Sequence, residues 1–149
     1  MPSFTDTHAL SDAESLRRLG DISFGRIVYH RHALPTIQPV SHIVDAGVIF
    51  VHAEPHTLTL TPHRQAVAYE ADTIDPATHA GWCVTVVGFA EDLTTRDIRT
   101  PLQHLLDVPH PHRVIRIRPE FITGTEYGPA LHPIGNPGPE STHHNPSTS

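Results

Sequence analysis

The chain has 149 residues, no lysine, fourteen histidines, fifteen prolines and one cysteine, and its formal net charge is −6 with histidine neutral. That length suits one domain around one core. An acidic chain without a basic stripe argues against nucleic acid as a partner, and no run of about 18 apolar residues is present to cross a membrane as a helix.

Met1 to Leu10 reads as a polar leader, partly mobile, with no basic flank or apolar stretch of a signal peptide. A single thiol, Cys83, makes neither an intrachain disulfide nor a cysteine-rich zinc site, so a cytoplasmic home is expected. Ser11-Asp12-Ala13-Glu14 has the form of a capping box, and the apolar spacing after it predicts a helix over Asp12 to Leu19, closed by Gly20. Strands are expected at Gly25–Tyr29 and Thr36–Val44. Pro39 has no ladder donor, so the second strand must be an edge or carry a bulge there. Asp45-Ala46-Gly47 is a hairpin turn into a return strand, Val48–Val51. Glu54 to Pro62 is a connector, Gln65–Glu70 another strand, and Asp75-Pro76 opens a turn running to Gly81. Trp82–Ala90 is the strongest strand signal. Asp92 to Leu106 reads as a helix weakened by Pro101, and Val114–Arg118 and Phe121–Tyr127 as two closing strands. Residues 128–149 are rich in Pro, Gly, Ser and His and too poor in apolar side chains to offset their ordering entropy, so a disordered tail is expected. Residues 11–127 then form the domain. Six or seven strands with two helices point to an antiparallel barrel with flanking helices.

The order of motifs resembles a known family. Gly25-Arg26-Ile27, Gln38-Pro39-Val40-Ser41-His42, Ala68-Tyr69-Glu70-Ala71-Asp72-Thr73-Ile74-Asp75, Gly81-Trp82-Cys83-Val84 and Arg116-Ile117-Arg118-Pro119-Glu120 are similar to the pyridoxamine 5′-phosphate oxidase-like, FMN-binding split β-barrel family, in its nitroimidazole-resistance-related branch. The resemblance covers about Ser11 to Tyr127. It implies an antiparallel split β-barrel, a homodimer with its sites between subunits, and a flavin-dependent oxidoreductase acting on a small organic molecule. Relatives on this scaffold also hold a deazaflavin or haem, so the fold alone does not fix the cofactor.

By that resemblance, FMN would lie along Pro39, Val40, Ser41 and His42, with His52, His56 and Thr57 near its phosphate and Trp82 and Arg116 nearby. His42 and His52 are the candidate catalytic residues. One departure stands out. Where relatives read Phe-Arg-Thr-Ala-x-Gly-x-Lys-Leu, this chain reads Phe50-Val51-His52-Ala53-Glu54-Pro55-His56-Thr57-Leu58. Val51 and Thr57 replace the Arg and Lys that hold the phosphate. Two lost charge-assisted bonds, at about 1.5–3 kcal/mol each, would weaken the cofactor's hold by roughly a hundredfold or more. His52 and His56 answer this only in part, since imidazole is mostly neutral at pH 7. On this view Val51→Arg with Thr57→Lys would restore FMN binding. The alternative is a flavin-free barrel reused as a small-ligand-binding protein or a non-redox enzyme, with a histidine-lined groove.

Other residue groups carry plainer readings. His30 with His32, and His110 with His112, are i, i+2 pairs that a strand would place on one face, but no metal motif accompanies them and no metal is expected. Cys83 reads as a small buried hydrophobe. Trp82 serves equally as a groove residue or as a cap on the core. Glu70, Asp72 and Asp75 read as residues that tie the turn before Gly81.

Overall fold

The computed structural model describes residues 6–53, 58, 60, 64–93 and 113–129. In chain order it forms β1 (Thr7–Leu10), α1 (Asp12–Gly20), β2 (Phe24–Arg31), β3 (Leu34–Asp45), β4 (Val48–Ala53), β5 (Arg64–Asp72), β6 (Gly81–Leu93) and β7 (Arg113–Tyr127). The helix starts where its cap requires: the Ser11 hydroxyl accepts from the Glu14 amide at 3.2 Å. Glu14 does not complete the box. Its carboxylate turns to Arg17 and Arg18, at 2.6 and 2.9 Å.

Hydrogen-bonded neighbours run β7-β4-β3-β2-β5-β6, and β6 pairs again with β7, so the sheet closes into a six-stranded antiparallel barrel. Closure depends on the length of β7. One of its edges carries β4 along residues 113–117 and then β1 along 124–127, while the other carries β6 from Val114 to Tyr127. The split β-barrel expected from the resemblance is what the chain forms. Its interior is filled by residues that alternate along the strands, among them Ile27, Val51, Tyr69, Val86 and Ile115, each at most 2% exposed, with Leu58 and Leu60 packed on them.

Four expectations need correction. Thr7–Leu10 of the leader is a strand, held by β7. The two closing strands are one: Val87 pairs with Phe121 but Gly88 with Pro119, so Glu120 is the extra residue of a bulge, and Pro119 sits where a missing donor is tolerated. A side chain at Gly88 would run into the Arg118 carbonyl. Asp92 and Leu93, expected to open a helix, end β6 instead; the remainder of that helix lies outside the described residues, as do most of the Glu54–Pro62 connector and the tail from residue 130. Finally, His30 and His32 do not share a strand face, because His32 lies in a turn with φ of 52°. Among the described residues no helix is long and apolar enough to cross a membrane.

The β3–β4 turn is the expected one. Ala46 and Gly47 both have positive φ, 48° and 76°, the requirement of a two-residue type I′ hairpin. The β2–β3 hairpin uses the same geometry at His32 and Ala33, with φ of 52° and 62° and no glycine. Left-handed backbone costs an ordinary L-residue about 1–2 kcal/mol. Ala33→Gly should therefore raise stability by about 0.5–1 kcal/mol after the extra freedom of the unfolded glycine is subtracted. A denaturant titration checks it; a lower midpoint would mean that the turn is not left-handed.

Candidate functional site

The residues singled out in the sequence divide into two sets by the pleat of β3 and β4. Val40 and His42 point inward, and Ser41 lies between them on the outside. His42 pairs across the ladder with Val51, so Val51 also points inward, where it is 0% exposed. His52 pairs with Ser41 on the outer side, and the Ser41 hydroxyl lies 3.4 Å from the His52 carbonyl oxygen. The structure thus brings Ser41 and His52 together and takes Val40, His42 and Val51 into the core. His56 and Thr57 lie outside the described residues.

His42 is fully engaged inside the barrel. Its Nε2–H donates to the Leu19 carbonyl at 2.8 Å, and its Nδ1 accepts from the Tyr69 hydroxyl. Its rings meet those of Tyr69 edge to face, with centroids 5.1 Å apart. Burial pulls the imidazole below its usual pKa, against the smaller upward pull of the Leu19 and Ile22 carbonyls, and burial pushes the Tyr69 phenol up. Both groups are neutral at ordinary pH.

The backbone of β3 offers a different opportunity. The His42 amide donates to the Ser23 carbonyl at 2.8 Å, which makes that pair a hydrogen-bonded one. Bonded and non-bonded pairs alternate, so Val40 and Gln38 also bond toward β2. Pro39 and Ile37 then direct their main-chain groups to the other edge. There β4 pairs with β3 only from Ser41 onward. Pro39 therefore costs the ladder no bond, as an edge proline should not. Among the described residues, the Pro39 carbonyl and the main-chain groups of Ile37 have no strand beside them.

The other candidates lie on β5, β6 and β7. Trp82 is half-buried and packs against the barrel core, in the position of a cap. Arg116 points outward from β7 and donates from Nη2 to Glu91 at 2.8 Å. Cys83 is half-buried, and its thiol lies 3.6 Å from a Glu70 carboxylate oxygen; burial and the Glu70 charge push the thiol pKa up, which disfavours the thiolate. Glu70 is also pushed up, first by burial and then by Asp72. Asp72 and Asp75 do tie the turn: Asp72 accepts from the Ile74 amide at 3.1 Å and Asp75 from the Ala77 amide at 2.7 Å. Among the described residues no group of three His, Cys, Asp or Glu side chains could hold a metal.

Two features were not visible in the sequence. A shallow depression of about 240 Å³ lies beside Pro39, lined by Phe24, Gly25, Arg26, Ala71 and Asp72. A row of register partners also crosses five strands on the outer face: Ile37, Val28, Ala68, Val87 and Phe121. Ile37 and Phe121 are 66% and 73% exposed, which is large for apolar side chains. No local pattern announces either feature, because each is assembled by the register of separate strands.

Comparison with known proteins places this architecture. An uncharacterized protein of Mycobacterium tuberculosis is 34% identical over 123 residues, 74% of this chain and 79% of that protein. A Corynebacterium glutamicum protein provisionally assigned as a pyridoxamine 5′-phosphate oxidase matches with a TM-score of 0.65 at 29% identity, over 84% of this chain and 96% of the other. A Mycobacterium smegmatis FAD binding protein shares the fold, with a TM-score of 0.64 at 24% identity over 83% and 99% of the two chains. The family model for pyridoxamine 5′-phosphate oxidase matches residues 11–126. With that span matched and the split barrel formed, the chain belongs to the pyridoxamine 5′-phosphate oxidase family.

Proposed function

We propose that this chain is a flavin-dependent oxidoreductase that acts on a small organic molecule and holds FMN between two copies of itself. The observation that carries the reading is the open edge of β3 at Ile37 and Pro39, with the exposed apolar row running away from Ile37 across the barrel. Main-chain donors and acceptors on such an edge suit the polar rim of a flavin ring. Ser41 and His52 flank it on the outer side. When bound, the flavin supplies hydride exchange, and the chain's share is placement and exclusion of water. His52, which faces outward, is the better placed of the two candidate catalytic histidines; His42 has both ring nitrogens engaged in the core. Exposed apolar side chains of the row, such as Ile37 and Phe121, offer surface on which a second copy would pack.

A second reading has its own support. On the outward side of β4 the described residues are Val48, Phe50 and His52, and Val51 lies in the core, so β4 itself presents no arginine or lysine to a phosphate. A barrel that has given up the flavin for another small ligand would look like this. The visible spectrum of the purified protein separates the two, taken as isolated and again after FMN is added and the sample desalted. Retained flavin absorption is the expected result. A colourless protein that also loses added FMN would overturn the oxidoreductase and favour the flavin-free reading.

A further inference from the structure

Strands β5, β6 and β7 bring arginines together at the opposite end of the outer face from Glu70 and Asp72. Arg64 is the register partner of Glu91, and Glu91 is the partner of Arg116. Two residues along, Phe89 pairs with Arg118, and the Arg64 guanidinium lies over the Phe89 ring at 5.4 Å. All of these face outward, because they alternate with the buried Ala90, Ile115 and Ile117. The Arg116 Nε is buried and has no hydrogen-bond partner. The Glu91 carboxyl is held below its usual range by Arg116 first, with Arg64 and Arg118 adding to the effect. Three cations therefore lie about one carboxylate here, of which only Arg116 is bonded to it. Arg17 and Arg18 by contrast have Glu14, Asp21 and Glu126, Arg26 has both Glu70 and Asp72, and Arg113 has Asp92 to itself.

We propose that Arg64, Arg116 and Arg118 form an anion site for the phosphate or pyrophosphate group of a small phosphorylated ligand. Adjacent strands lie about 4.8 Å apart, so Arg64 and Arg116 start about 10 Å from each other with β6 between them, a gap two long side chains can close over one phosphate. Guanidinium forks match phosphate oxygens in pairs, and the stacked Phe89 ring limits the freedom Arg64 has to lose on binding. Glu91 is the internal counter-charge that a ligand would displace. This assignment does not depend on the flavin reading, although an FMN phosphate is one source of such a group.

The test is a calorimetric titration with inorganic pyrophosphate at low salt, repeated with FMN and with riboflavin. Wild type should bind pyrophosphate saturably, and more weakly as salt is added. Arg64→Gln and Arg116→Gln should each weaken it by about tenfold or more. Glu91→Gln should tighten it, a change of sign that a merely structural Glu91 would not give. Arg118→Gln, at an exposed position, gives a variant that keeps its fold and should also weaken binding. No saturation in wild type, indifference to the arginine variants, or weaker binding in Glu91→Gln would overturn the site. Pyrophosphate binding without FMN binding would uphold the site and end the flavin reading. FMN and riboflavin binding equally, without pyrophosphate, would do the reverse.

Discussion

Val51→Arg should strongly destabilise the protein rather than give it a phosphate-binding cation. By the family resemblance, position 51 would be that of a phosphate-binding arginine, and restoring it looks like a gain. The ladder reverses that expectation. Val51 pairs with His42, is 0% exposed and packs with Ile49, Ile115 and Ile117 inside the barrel. An arginine there would bury a charge with no carboxylate to meet it and add volume to a filled core, at a cost of at least about 4 kcal/mol. That is a large part of the 5–15 kcal/mol or so that holds a domain together. His52→Arg is the informative companion, since residue 52 faces outward beside Ser41. It should fold with stability within about 1 kcal/mol of wild type and retain FMN more strongly. Thermal unfolding followed by FMN titration checks both variants. If Val51→Arg melts like wild type and gains FMN, β4 is shifted by one residue from the pairing described here, because a one-residue slip exchanges its two faces.

The same one-residue logic explains how much of the molecule could be read in advance. Strand identities came from composition and alternation, and the β3–β4 hairpin from Asp45-Ala46-Gly47, where Gly47 accepts positive φ at no cost. The β2–β3 hairpin has the same geometry without a glycine, so it carried no signal. Glu120 split β7 in the sequence because a bulge interrupts alternation as a loop would, yet the ladder continues across it. At the site, the family pattern pointed to Pro39–His42 as a block. Backbone alternation divides that block: Val40 and His42 bond toward β2, while Pro39 and Ile37 are left at the edge. Which side of a strand a residue takes depends on pairing with strands distant in sequence, and one-dimensional spacing does not contain it. Arg116 and Arg118 alternate on one face of their strand, but the placement of Arg64 beside them across β6 was hidden for the same reason.

The second large effect is expected at the pair His42 and Tyr69. Tyr69→Phe removes the donor that satisfies Nδ1 and leaves a buried acceptor unpaired, costing about 1–3 kcal/mol. His42→Leu strands both the Tyr69 hydroxyl and the Leu19 carbonyl, so it should cost more. The double variant leaves only the Leu19 carbonyl without its partner. Its loss should therefore fall short of the sum of the singles by about 0.5–3 kcal/mol. Acid adds a second readout. His42 is held neutral in the folded chain, with a pKa below the 6.5 of a free imidazole. Above pH 6.5 neither state binds this proton, and the pair contributes fully. As the pH falls below 6.5 the unfolded chain takes the proton up first, so stability is lost progressively until the lower, folded pKa is passed. Unfolding of wild type should thus become easier between pH 7.5 and pH 5.5 by a margin that His42→Leu does not show, whatever the other histidines contribute to both. Equal pH dependence in the two proteins would mean that the fold leaves the His42 pKa where the unfolded chain has it, as for a ring open to solvent. His42 would then have to face the groove after all, and the catalytic role given to His52 would pass back to it.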